Sequence, residues 1–158
     1  MSLYHHLYGL NYISLRISNA YGERQNPNSL QGAVSVFLGK IKKNIPLEIW
    51  GEGEVIRDYI YTKDIVDAAI QAAETDQTDH HVINIGSGVG ISLIELIETL
   101  RQITGKNIQI KYKEKRKIDV PINILDISVA KIFLCWEPKY SLSNGVKKIL
   151  DNDYFGSF

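Results

Sequence analysis

Two arginines stand out as groups that need an anionic or polar partner. Arg57 lies inside the apolar run Val55-Ile56-Arg57-Asp58-Tyr59-Ile60-Tyr61, and Arg116 opens Arg116-Lys117-Ile118-Asp119, just ahead of Pro121. A guanidinium stays charged, and its planar fork of donors matches the oxygens of a phosphate. Two of them on rigid elements would clamp a diphosphate. Asp119 would accept hydrogen bonds from ribose hydroxyls, Asn19 would bond a phosphate or sugar oxygen, and Trp50 would lie against a nucleobase. Asn19 follows Arg16-Ile17-Ser18 at the polar end of a strand, and ligands of α/β sheets sit at the carboxyl ends of strands. The same residues admit a structural reading, with Arg57–Asp58 and Arg116–Asp119 as ion pairs. Strand alternation, however, turns Asp58 to the face opposite Arg57.

The elements that must position these groups are legible from periodicity. Tyr12 to Ile17 alternates and is β-branched, which predicts a strand. Gly22 to Ser29 is a loop. Ala33, Val34, Phe37 and Ile41 recur at helical spacing, and Lys40, Lys42 and Lys43 suit the last turn. Leu47 to Trp50 reads as a strand, and Gly51-Glu52-Gly53 turns into another at Val55 to Tyr61. Asp64 is expected to cap a helix with Ile65, Ala68, Ala69 and Ala72 on its packed face. Val82 to Ile85 is a short strand, and Ser92-Leu93-Ile94-Glu95 is a capping box opening a helix that Gly105 stops. A strand at Ile108 to Tyr112 and two short helices near Ser128 and Ser143 follow. Strands and helices interleave, so the class is α/β.

Composition narrows the function. The chain has 158 residues, with 18 Lys+Arg against 18 Asp+Glu and therefore zero formal net charge. That argues against a nucleic-acid coat and against a membrane-surface protein. The exposed-looking tract Lys111 to Lys117 reads as a solvated strand end. The single cysteine, Cys135, makes neither an internal disulfide nor a zinc cage, which points to a reducing compartment; its apolar neighbours suggest a core position. The pairs His5-His6 and His80-His81 are adjacent in sequence, so each pair does not face one metal. Gly86-Ser87-Gly88-Val89-Gly90 imitates a dinucleotide fingerprint, but Ile91 stands where its third glycine belongs. We read it as a tight strand-to-helix turn whose glycines allow close packing.

Six stretches carry a family resemblance: Leu15-Arg16-Ile17-Ser18-Asn19-Ala20-Tyr21-Gly22, Ile49-Trp50-Gly51-Glu52-Gly53, the run Arg57 to Val66, Asn84-Ile85-Gly86-Ser87-Gly88, Arg116-Lys117-Ile118-Asp119 and Trp136-Glu137-Pro138. In this order and spacing the chain resembles the C-terminal half of an extended short-chain dehydrogenase/reductase. More narrowly it is similar to NAD-dependent nucleotide-sugar epimerases and dehydratases of the UDP-glucose 4-epimerase type. The resemblance implies a Rossmann-type α/β fold whose dinucleotide-binding part is missing here. Its G-x-x-G-x-x-G loop and its catalytic Tyr-x-x-x-Lys would precede this segment; Tyr4 is followed at the fourth position by Tyr8, not lysine. No catalytic residue is therefore expected in this chain, which would be a single fragment over 1–158, inactive alone. Residues 1–22 and 62–104 would belong to the parent sheet and its helices, and 23–61 and 105–158 to the substrate-binding part.

By position, the resemblance assigns Asn19, Gln31, Gly32, Trp50, Arg57, Arg116 and Asp119 to a UDP-sugar, and the backbone of Ile17 to the nicotinamide of NAD. Arg57 and Arg116 would hold the pyrophosphate, Asp119 the ribose and Trp50 the uracil. The implied reaction of a complete enzyme is transient oxidation at C4 of the sugar. Halves of a 4,6-dehydratase or a UDP-glucuronate decarboxylase, and a non-catalytic binding module, are the alternatives. The reducing compartment to which the single cysteine points would be the cytoplasm. Strand edges left open by the missing half would favour a homodimer.

Overall fold

A computed structural model describes residues 1–29, 31–75 and 82–152. The pair His80-His81 lies outside them. A short helix α1 (Ser2–Tyr8) ends at Gly9 and leads to β1 (Ser14–Ile17) and, past a one-residue break at Ser18, to β2 (Asn19–Tyr21). Then come α2 (Ala33–Lys42), β3 (Leu47–Trp50), β4 (Ile56–Tyr61) and α3 (Thr62–Glu74). The second half runs β5 (Val82–Ile85), β6 (Gly90–Ser92), α4 (Leu93–Thr104), β7 (Ile110–Lys113), β8 (Ile122–Asn123), α5 (Ser128–Phe133) and α6 (Leu142–Asp151). The expected α/β class is observed, and the predicted strands and helices are present with small shifts at their ends.

Pairing is mostly parallel, as crossover helices require. Strand β1 pairs with β5, β3 with β7 and β2 with β4, all parallel. Strand β4 also takes β6 antiparallel on its other side, and continues in parallel with β8. The break at Ser18 passes the chain from one sheet to the other. Strands β2 and β6 were not anticipated, because three residues carry too little periodicity to register.

One core packs α2, α4 and α6 around Leu38, Leu47, Ile49, Tyr61, Leu96, Leu100 and Ile149. A second seats α3 and α5 on β1 and β5 through Ile60, Ala68, Ile83, Ile85, Ala130 and Trp136. Helix α4 begins with both halves of the capping box, Ser92 Oγ accepting from the Glu95 amide and Glu95 from the Ser92 amide. Gly105 closes it in the left-handed conformation at φ 64°. An aromatic stack, Tyr21–Tyr61–Tyr140 with centroids 5.7 and 4.9 Å apart, joins the strand ends to the segment before α6.

Three local expectations change. Asp64 does not cap α3: Tyr61 holds the N-cap position, and Asp64 lies one turn in, fully buried. Its carboxylate accepts from the amides of Lys139 and Tyr140 instead, because a buried carboxylate must find donors and the 139–140 segment supplies them. Ala69 is exposed, so Ile65, Ala68 and Ala72 make the packed face. Cys135 is exposed as well, at φ 48°, since the turn leaving α5 points it outward between buried Leu134 and Trp136. No described helix is long and apolar enough to cross a membrane.

Candidate functional site

The carboxyl end of β1, the start of β2, Tyr59 within β4 and the start of α2 surround a cavity of about 510 Å³. Its walls include Ile17, Ser18, Asn19, Gln31, Gly32, Tyr59 and Asn123. A second hollow of about 590 Å³ adjoins it and shares Gln31, Gly32 and Ala33. That one carries Trp50, Phe37, Val36 and Leu93 with Arg116. The two form one groove running from the end of β1 across the first turn of α2 to Trp50. Gly32, at φ 88°, is the N-cap of α2 and gives no side-chain cap. The first amides of a helix lack intrahelical partners, so the middle of the groove is electropositive.

Seven of the eight sequence-selected residues border this groove or its rim loop. Ile17 is 46% exposed at the end of β1, and Asn19 pairs in register with Tyr59 across β2 and β4. Trp50 is 41% exposed, and the guanidinium carbon of Arg116 stands 4.0 Å from its ring centroid. This is a cation–π contact. Arg116 Nε also donates to Asp119 Oδ2 at 3.2 Å, so the structural ion pair exists alongside the stacking.

Arg57 is the eighth, and it behaves differently. Its Nη1 donates to the carbonyls of Ile56 (2.8 Å) and Val120 (2.7 Å), and it makes no ion pair with Asp58. It lines neither hollow of the groove. Instead it ties β4 to the residue next to Asp119, and so anchors the loop that carries Arg116. Tyr59, two residues on and on the same strand face, is buried, which pushes its phenol up to about 12 against the pull of Arg57. It is therefore a neutral hydroxyl at ordinary pH.

Asp58 is the residue whose importance the sequence understates. Its side chain is 1% exposed. Oδ1 accepts from the Ser87 amide (2.7 Å) and hydroxyl (2.6 Å), and Oδ2 from the amides of Gly88 (3.2 Å) and Leu125 (3.3 Å). One carboxylate thus binds β4, the β5–β6 turn and the segment after β8 together. Gly86 must be glycine here, since a Cβ would stand 2.3 Å from Asp58 Oδ2. The glycine turn is therefore a close-packing device, and its Ser87 and Gly88 amides already serve a carboxylate of the chain itself. The signal was available: alternation buries Asp58, and a Gly-Ser-Gly turn is a source of amides.

Ser18, Tyr59 and Asn123 were not selected from sequence, although all three line the cavity. Ser18 Oγ is buried and has no hydrogen-bond partner among the described residues. Asn123 reaches the cavity only because β8 pairs with β4, with Asn123 opposite Arg57.

Comparison with known proteins decides the kinship. The family model described as "NAD dependent epimerase/dehydratase family" matches residues 1–86. The chain belongs to that family. A UDP-glucose 4-epimerase from Thermotoga maritima, solved with UDP-glucose, superposes with a TM-score of 0.90 at 40% identity, over 98% of this chain and 48% of its own. A dTDP-4-dehydro-6-deoxyglucose reductase from Escherichia coli is 40% identical over 87% of this chain and 43% of its own length. The UDP-glucuronate 4-epimerase of Thermodesulfobacterium geofontis is 34% identical over 94% and 45% respectively. The chain spans about half the length of these epimerase/dehydratase relatives.

Proposed function

We propose that this chain is the nucleotide-sugar-binding half of an NAD-dependent sugar 4-epimerase, and that the groove is where UDP is anchored. The observation that carries the reading is the continuity of the groove: a stacking surface at Trp50, a guanidinium at its edge, an uncapped helix N-terminus midway and a polar cavity beyond. Uracil would stack on Trp50. Arg116 would swing from the indole to the diphosphate, which the first amides of α2 meet from the other side. Asp119, released from Arg116, would accept from the ribose. Asn19 would bond the phosphate or sugar, and Gln31 and Gly32 would border it. Arg57 would hold the 116–121 loop in place and add its field to the clamp. Tight binding of the part that does not react positions the part that does.

The solved relatives include a Thermus thermophilus UDP-glucose 4-epimerase in complex with NAD, which shares 26% identity with this chain. The residues here fit one rim of that cofactor. Ile17 presents an exposed apolar edge where a nicotinamide would lie, while the Ser87 and Gly88 amides are taken by Asp58 and form no pyrophosphate cradle. When bound, NAD would supply reversible oxidation at C4 of the sugar. This chain would bind and orient the UDP-sugar; the tyrosine and lysine of the reaction would come from the other half. The same reading keeps 1–22 and 62–104 as parts of the larger sheet, a cytoplasmic setting, and a homodimer through the open β1 and β5 edges, which light scattering would test.

Calorimetry with UDP tests the proposal. Binding that disappears in the Arg57→Ala, Arg116→Ala double variant supports it, and unchanged affinity overturns the clamp. Interconversion of UDP-glucose and UDP-galactose by the purified chain with NAD would refute the assignment of catalysis to the other half.

A further inference from the structure

Resting on that reading, we infer that Glu23 is a positioning residue for the groove: it fixes the start of the loop after β2 and, through Gln25, the N-terminus of α2 that would meet the diphosphate. Glu23 lines neither hollow, so it acts through its neighbours. Its Oε1 accepts from the Tyr61 hydroxyl and, at 3.0 Å, from the side-chain amide of Asn152. Tyr61 is fully buried at the end of β4, and Asn152 is the C-cap of α6. One carboxylate thus pins the loop to two elements of the larger core.

Two residues on, Gln25 carries that fixation into the groove. Its Nε2 donates to the carbonyl of Ala20, next to Asn19, at 3.3 Å, and its Oε1 accepts from the Ser35 hydroxyl at 2.6 Å. Ser35 is fully buried in the first turn of α2. A Cβ on Gly32 would stand 2.7 Å from Gln25 Nε2, so the carboxamide fills the place of a side chain at the N-cap. Gln25 therefore sets the separation between the strand that carries Asn19 and the first amides of α2. Arg24, between the two anchors, is independent support. It is exposed, yet its backbone is left-handed at φ 67°. A residue other than glycine adopts that conformation at a cost and keeps it only where its surroundings impose it. With Glu23 released, this turn would relax and Gln25 would leave Gly32 and Ser35.

Calorimetry with UDP tests this on the full chain, on Glu23→Ala and Glu23→Gln, and on the double variant Glu23→Ala, Arg24→Gly, each shown folded by circular dichroism at the assay temperature. Glu23→Ala should leave the loop in place about a fifth of the time and so weaken UDP about fivefold. Glu23→Gln keeps an acceptor for Tyr61 and Asn152 and should bind as the unaltered chain does. Arg24→Gly removes the penalty of the left-handed turn and should recover part of the loss, which a role confined to the docking of α6 would not allow. Should Glu23→Ala fail to fold, Asn152→Ala removes one donor only and should show a smaller loss. Unchanged affinity in the alanine variant overturns the inference, and so does a loss that neither Glu23→Gln nor Arg24→Gly relieves; both leave the nucleotide reading standing. Absence of UDP binding by the unaltered chain defeats that reading and this role together.

Discussion

Removing the Asp58 carboxylate should loosen the molecule more than any other single polar change. Four donors converge on it: the amides of Ser87, Gly88 and Leu125 and the hydroxyl of Ser87. Two of the contacts are short, at 2.7 and 2.6 Å, and the group is essentially shut off from water. A hydrogen bond to a charged group contributes about 1.5–3 kcal/mol, and each amide stranded without an acceptor costs about 1–3 kcal/mol. Ser87 Oγ retains the Val89 carbonyl at 3.3 Å, and water entering the vacated space would recover part of the remainder. The net loss for Asp58→Ala is therefore about 3–5 kcal/mol, the range for breaking a buried charged network. Asp58→Asn keeps one acceptor oxygen and should lose about 2–3 kcal/mol. With a total stability of about 5–15 kcal/mol, either change is severe. Urea denaturation read by the fluorescence of Trp50 and Trp136 would show it, with the alanine midpoint falling by about 1–3 M. Hydrogen exchange adds a local signature, since the amides of Ser87, Gly88 and Leu125 should lose protection ahead of those in α4. A loss below about 1 kcal/mol, with those amides still protected, would refute the argument that one carboxylate joins the three segments.

Other consequences are open to measurement. Tyr61 is fully buried and donates to Glu23, which also accepts from Asn152 at 3.0 Å, so Tyr61→Phe should cost about 1.5–3 kcal/mol in a thermal melt. Partial burial pushes the Glu23 carboxyl up, but the hydrogen bonds from Tyr61, its own backbone and Asn152, with the charge of Lys63, outweigh it and hold it below the ordinary value. Its contribution is therefore complete above the unfolded-state value of about 4.3 and is lost as pH falls through the lower folded one, so the Tyr61→Phe deficit should shrink on acidification below that window. Ser92→Ala removes the capping box and should cost about 0.5–2 kcal/mol, seen as a lowered urea midpoint with the fold retained. Arg116→Ala should change the emission of Trp50, whose ring it covers, and weaken UDP by about 10- to 100-fold through loss of one charge-assisted contact. Unchanged emission would remove the stacking, and unchanged affinity would remove the phosphate role.

The regular elements were readable because each buries one face. Leu96, Ile97 and Leu100 are buried at the spacing that predicts α4, and the Ser92–Glu95 box marks its start within the sequence itself. Strands β3 and β5 likewise bury alternate residues, Leu47 and Ile49 in one and Ile83 and Ile85 in the other. Of the candidate site, the charged and aromatic members Arg116, Asp119 and Trp50 were visible because such residues are conspicuous in an apolar or loop context. Ser18, Tyr59 and Asn123 were not, since a serine, a tyrosine or an asparagine at a strand end is unremarkable until the neighbouring walls are known. Arg57 was visible but its partners were not: the carbonyl of Val120 lies 63 positions away.

By itself, then, the order of residues determined the α/β class, the limits of most elements and the family. These follow from local periodicity, caps and short-range motifs. Only the tertiary structure decided that Asp58 joins three segments, that Asp64 serves the 139–140 turn instead of a helix cap, and that Arg116 rests on Trp50. It also decided which uncharged groups wall the cavity. The physical reason is that hydrogen bonds and cavities are properties of distance in space. The strand pairings that bring residue 58 to 87 and 125, and residue 57 to 123, leave no trace in the spacing of the chain.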